Sequence, residues 1–134
     1  MKLGVIGTGN MARSILTGVL EKEVLKKEEI IGSDSFAKTR KKTQEKLGIE
    51  MTGDNRLVAS SADVILLSIK PQHAADVIAE IRDLVKPETL IISIAAGKSL
   101  AWLSEQFGKE VKIVRCMPNI AAMVGEAMTG YCPN

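Results

Sequence analysis

"KLGVIGTGNMARSILTGVL", residues 2–20, decides how the rest of the chain is read. An apolar run, Leu3 to Ile6, leads straight into three small residues, Gly7, Gly9 and Ala12. Each of them gives up packing area, and the two glycines also cost backbone entropy. From Asn10 to about Lys22 the spacing turns helical, with Met11, Ile15, Gly18 and Val19 along one face. A strand, then a bare turn, then a helix implies that something must come very close to this main chain.

The same alternation continues outward. Ile30 to Asp34 reads as a second strand, and Phe36 to Leu47 as a charged helix that ends at Gly48. Ile49 to Met51 reads as a short third strand. "ADVILLSI", Ala62 to Ile69, is almost continuously apolar. Gln72 to Val85 repeats Ala74, Val77, Ile78, Ile81 and Val85 at helical intervals and stops before Pro87. Thr89 to Ile94 is another buried strand, Ser99 to Phe107 a helix ended by Gly108, and Val111 to Arg115 a last clear strand. Strands apolar on both faces and separated by helices predict an α/β chain with a doubly wound, mostly parallel sheet and helices on both faces. No repeat, low-complexity segment or linker divides residues 1–134, and the tail from Ala121 to Asn134 is less regular, with no closing element.

The totals narrow the function classes. At 134 residues, 46% apolar and 25% charged, the chain has the make-up of one globular domain with its own core. Aromatic residues are only 3%, so the core is built from Val, Ile, Leu, Ala and Met. A net charge of +2 argues for neither nucleic acid nor an anionic membrane. No apolar run approaches a membrane span, and the start lacks the pattern of a signal peptide. Cys116 and Cys132 do not make a disulfide framework, which points to a reduced, cytoplasmic setting. His73 is the only histidine and has no Asp or Cys at ligand spacing, so no metal site is expected, and a surface loop position suits it. "AAGKS", residues 95–99, lacks the leading glycine of a phosphate-binding P-loop, because that position is Ile92.

What the bare turn suits is a dinucleotide, and the fold is then of Rossmann type. Gly7 permits the tight turn out of the strand, Gly9 lets a diphosphate approach the backbone, and Ala12 lets the helix pack against the sheet. Free N–H groups and the helix dipole face the anion. After the second strand comes "GSDSFAKTRKK", residues 32–42. Asp34 stands where an acid binds the ribose hydroxyls of NAD; Ser33, Ser35, Lys38 and Arg40 could instead hold the 2′-phosphate of NADP. Lys38, Arg40, Lys41 and Lys42 also suit a solvated helix face. The residues leave NADP(H) against NAD(H) open. Ligands in such sheets sit beyond the carboxyl ends of the strands. "GTGN", "SDS", "SIKP" (68–71), "AAG" (95–97) and "RCMPN" (115–119) all fall there.

"IGTGNMA", "SIKP", "SIAAG" and "RCMPN", in this order and spacing, resemble the amino-terminal cofactor domain of pyrroline-5-carboxylate reductase over almost the whole chain. The resemblance implies hydride transfer from a reduced nicotinamide cofactor to the C=N carbon of Δ1-pyrroline-5-carboxylate, which gives proline. It places Ile6, Gly7, Thr8, Gly9, Asn10 and Met11 at the diphosphate. Asp34 and Ser35 fall at the adenosine ribose or its phosphate, and Asn55 also reaches the cofactor. Ser68, Ile69, Lys70, Pro71, Ala95, Ala96 and Gly97 line the nicotinamide half. Asn119 lies near the reactive end, beside the substrate; its plainer role is to cap the turn after Pro118. No nucleophile or metal is implied. Ile120-Ala121 and Lys98 depart from the family's usual residues. The family continues into a helical half that forms the dimer and supplies much of the substrate pocket, so residues 1–134 are expected to bind cofactor but to turn over substrate poorly. Another NADP-dependent reductase of the same fold, for example one using a deazaflavin, and a non-catalytic nucleotide sensor are the rival readings.

Overall fold

A computed structural model describes residues 1–94, 98–117 and 130–133. Its strands are β1 (Leu3–Ile6), β2 (Ile30–Ser33), β3 (Glu50–Thr52), β4 (Val64–Leu67), β5 (Leu90–Ser93), β6 (Lys112–Met117) and β7 (Gly130–Pro133). Its α-helices are α1 (Asn10–Glu21), α2 (Ala37–Leu47), α3 (Asn55–Ser61), α4 (Ala74–Ile81) and α5 (Leu100–Phe107). The seven strands form one sheet in the order β3-β2-β1-β4-β5-β6-β7. All pairings are parallel except β6 with β7, where Arg115 faces Cys132 and Cys116 faces Tyr131.

The order explains the two layers of helices. From β1 the chain moves one way to β2 and β3, then crosses back over β1 to β4 and moves the other way to β6. Right-handed crossovers put the helices of opposite directions on opposite faces. The core divides accordingly. On one face Leu3, Val5, Ile30 and Leu66 pack with Ala12, Leu16 and Ile49, beneath α1 and α2. On the other Ile6, Ile31, Ile65, Leu67, Ile91 and Ile113 pack with Val58 of α3, Ile78 and Ile81 of α4, and Leu103 and Phe107 of α5. Gly4 makes the crossing of α3 possible: a methyl group there would stand 2.6 Å from Val58 Cγ1 and 2.8 Å from Ala62 Cβ.

Several boundaries differ from the sequence expectation, each for a local reason. Helix α3 was not expected; Asp54 starts it by accepting a hydrogen bond from Arg56 N at 2.9 Å. The segment expected to be helical from Gln72 to Val85 divides into a 3₁₀ turn, Pro71–His73, and α4. The inward face of α1 runs through Ala12 and Leu16, flanked by Ile15, Val19 and Leu20. That stripe lies one residue on from one drawn through Met11, and it brings Arg13 into the interior. The tail, read as irregular, contributes β7.

Candidate functional site

The strand order reverses between β1 and β4, where a crevice opens at the carboxyl ends of the strands. A cavity of about 510 Å³ lies there. Nine of the residues expected at a ligand line it: Ile6, Gly7, Gly9, Asp34, Ser35, Asn55, Ser68, Ile69 and Lys70. Phe36, Thr39, His73, Asp76, Val77 and Glu80 complete it.

The glycine turn is held by the strands beside it. Gly7 N donates to Ser33 O at 2.8 Å, and Ser68 N donates to Ile6 O at 2.8 Å. Gly7 has φ +88°, and a Cβ there would be 2.3 Å from Ser68 O, so both conformation and space require glycine. Gly9 is different. Its φ of −72° and ψ of −170° suit any residue, and a Cβ would meet nothing within 4 Å. No contact among the described residues requires the bareness at Gly9. Gly9 is also the N-cap of α1, with no side-chain cap and no acidic residue in the first turn. The amides that open α1 thus have no side-chain cap and could donate to an anion, with the positive end of the helix dipole behind them.

At the end of β2 the carboxylate of Asp34 turns toward the glycine turn. Oδ2 accepts from Thr8 N at 3.0 Å and from Thr8 Oγ1 at 3.4 Å, while Oδ1 accepts from Phe36 N at 3.0 Å. Ser33 Oγ donates to Asn55 Oδ1 at 2.7 Å, and Asn55 Nδ2 donates to Glu80 Oε2 at 3.3 Å, which ties β2, α3 and α4 together along the cavity wall. Arg40 Nη1 donates to Asp34 O at 2.8 Å. Ser35 and Thr39 carry hydroxyls on the cavity wall, and Phe36, 70% exposed, presents its ring there.

Thr8, Asn10, Met11 and Pro71 do not line the cavity. Thr8 is buried beneath the turn, Asn10 and Met11 form the first turn of α1, and Pro71 opens the 3₁₀ turn after β4. Ala95, Ala96, Gly97 and Asn119 lie outside the described residues. The α4 contribution was legible in principle, since His73, Asp76, Val77 and Glu80 recur at the three- and four-residue spacing of one helix face. Phe36 and Thr39 carried no such signal. His73 is both exposed and on the cavity wall. Among the described residues no group of three or more His, Cys, Asp or Glu could hold a metal ion, and no helix is long and apolar enough to cross a membrane.

Residues 2–97 match the sequence profile of a family described as NADP oxidoreductase, coenzyme F420-dependent. The pyrroline-5-carboxylate reductase of Methanosarcina acetivorans is 36% identical over 132 residues, covering 98% of this chain and 49% of that protein. The Escherichia coli K12 protein of that name is 35% identical, covering 99% of this chain and 49% of its own length. The solved structure of a pyrroline-5-carboxylate reductase from Coxiella burnetii superposes with a TM-score of 0.93 at 34% identity, covering 99% of this chain and 49% of that one. Pyrroline carboxylate reductase of Plasmodium falciparum, solved with NADP bound, gives 0.84 at 30% identity, covering all of this chain and 48% of that one. The chain spans about half the length of the curated relatives it matches.

Proposed function

The chain belongs to the family described as NADP oxidoreductase, coenzyme F420-dependent, and from that premise we propose that it is the cofactor-binding half of a pyrroline-5-carboxylate reductase. The single observation that carries the binding role is Gly9: a position free to carry a side chain, bare, lining a cavity, and opening an uncapped helix. The residues present fit a dinucleotide. The amides at the start of α1 would hold the diphosphate. Ser35 and Thr39, with the Arg40 guanidinium close behind, would hold the 2′-phosphate of NADP(H). Asp34 is engaged by Thr8 N and Phe36 N, which leaves it a weaker reader of ribose hydroxyls than its position alone suggests, so NADP(H) is the preferred cofactor and NAD(H) the weaker one.

Ser68, Ile69 and Lys70 would line the path to the nicotinamide, with Pro71, Ala95, Ala96 and Gly97 beside them and Asn119 toward the substrate. When bound, the reduced nicotinamide supplies the hydride that the C=N carbon accepts. The chain's own work is to bind, orient and exclude water. Such positioning supplies much of the rate where no nucleophile is needed. Eight relatives of 33–37% identity bear the pyrroline-5-carboxylate reductase name, which favours imine reduction over a deazaflavin partner. A protein that carries the relatives' second half as well would be a cytoplasmic homo-oligomer, with that half completing the substrate pocket.

The test is a titration of this chain with NADPH and NADH, followed by nicotinamide fluorescence. It is paired with a proline-forming assay of the chain carrying a helical second half. Saturable NADPH binding that is tighter than NADH binding, with turnover only in the longer protein, is expected. Absence of binding to either nucleotide contradicts the proposal.

A further inference from the structure

Among the described residues Arg13 is the only charged side chain in the interior, 7% exposed. It stands on the first turn of α1, folded back under the glycine turn. Nη1 donates to Thr8 O at 3.1 Å, and Nη2 donates to Asn10 Oδ1. Both acceptors are neutral. Among the described residues the one ion pair within 4.0 Å joins the amino terminus to Glu29, so no carboxylate of the described residues offsets the Arg13 charge at contact distance. A guanidinium buried without a counter-charge is costly, and nothing in the packing of α1 calls for one.

Its geometry says what it does. Thr8 is fixed on both sides: Asp34 Oδ2 accepts from its N–H at 3.0 Å, and Arg13 takes its carbonyl at 3.1 Å. In a trans peptide the C=O and the following N–H point in opposite directions. Drawing Thr8 O inward therefore turns Gly9 N–H outward, on the side where Gly9 lines the cavity and has no neighbour within 4 Å of a Cβ. The pull of a cation on that carbonyl also polarises the same peptide, which strengthens its N–H as a donor to an anion.

We propose that Arg13 is a positioning residue for the cofactor diphosphate: it sets the Thr8–Gly9 peptide in its donating orientation and holds a positive charge that the bound anion offsets. This rests on the dinucleotide reading above. It makes a distinction that a purely structural arginine would not: Arg13 serves the diphosphate and is indifferent to the adenosine end of the ligand.

The experiment compares Arg13→Met, Arg13→Gln and Arg13→Lys with wild type by titration calorimetry. The ligands are NADPH and adenosine 2′-monophosphate, which lacks the diphosphate. Because a hydrogen bond with a charged partner is lost, the Met and Gln variants are expected to bind NADPH about tenfold or more weakly. The Lys variant, which keeps the charge, should stay within about threefold of wild type, and adenosine 2′-monophosphate within about twofold for all three, since no charge is lost near it. The ligand-free thermal midpoint of each variant is recorded beside the titrations, so that weaker binding is read on a chain that still folds. Wild-type NADPH affinity in the Met and Gln variants overturns the assignment alone. So does parallel loss of both ligands, or a lowered ligand-free midpoint with affinity intact. A wild-type chain that binds neither ligand refutes the dinucleotide reading, and this assignment with it.

Discussion

Gly9→Val separates folding from binding. For folding, φ −72° and ψ −170° lie in a region valine readily adopts, and its Cβ would enter space with no atom within 4 Å. The remaining cost is the loss of a glycine N-cap, about 0.5–1 kcal/mol. In a domain of this size that lowers the melting midpoint by about 2–4 °C. For binding, three added carbon atoms occupy the approach to the first amides of α1. Each charge-assisted hydrogen bond from those amides to a phosphate oxygen is worth about 1.5–3 kcal/mol. Losing one or two weakens NADPH binding by about 1.5 kcal/mol or more, at least about tenfold. Gly7→Ala is the contrasting variant. At φ +88° and 2.3 Å from Ser68 O it strains the backbone by about 1–2 kcal/mol and overpacks the turn by about 1–3 kcal/mol more. Circular dichroism melts and NADPH fluorescence titrations read the two quantities separately. A folded Gly9→Val chain that binds NADPH within about threefold of wild type refutes the reasoning.

Three further outcomes are expected. Thr43 Oγ1 is buried with no hydrogen-bond partner among the described residues, so Thr43→Val should raise stability by about 1 kcal/mol in a urea melt; a loss of stability would mean the hydroxyl has a partner. Gly4→Ala should destabilise the chain by about 1–3 kcal/mol, because the new methyl meets Val58 and Ala62 side chains across the β1–α3 contact; a neutral melt would show that α3 can slide. Burial raises the Cys116 thiol above its ordinary value, so its stabilising share is full below the unfolded pKa and is lost as pH rises through the folded one. In a Cys132→Ser background, iodoacetamide at pH about 7.5 should then alkylate Cys116 more slowly than an unfolded-peptide thiol, and a faster reaction contradicts the burial.

The fold was legible because its signals are local. Leu3 to Ile6 is apolar on both faces and is followed by a turn that requires glycine at Gly7, and the strand–helix alternation leaves few topologies once crossovers are right-handed. The site was legible at strand ends for the same reason: Gly7, Asp34, Ser68 and Ile69 need only their order in the chain to be placed together. What escaped depends on three-dimensional neighbours. Helix α3 has only seven residues, too few for a clear periodicity, and begins at the N-cap Asp54. Phe36 joins the site as the N-cap of α2, a position no periodicity reports. Nothing in the sequence sets Arg13 apart from the other cations; only the one-residue rotation of α1 shows it inside. Asp34 has the position of a ribose reader, but its carboxylate is directed by Thr8 N and Phe36 N, which sequence spacing does not disclose.

The central claim is that NADP(H) binds in the crevice between β1 and β4, over the glycine turn. Amide chemical-shift mapping of the ¹⁵N-labelled chain on addition of NADPH tests it most directly. The account predicts that the largest changes fall on Gly7, Gly9, Asn10, Met11, Ser35, Asn55, Ser68 and Ile69. Saturating shifts centred elsewhere, with those amides unmoved, would contradict it.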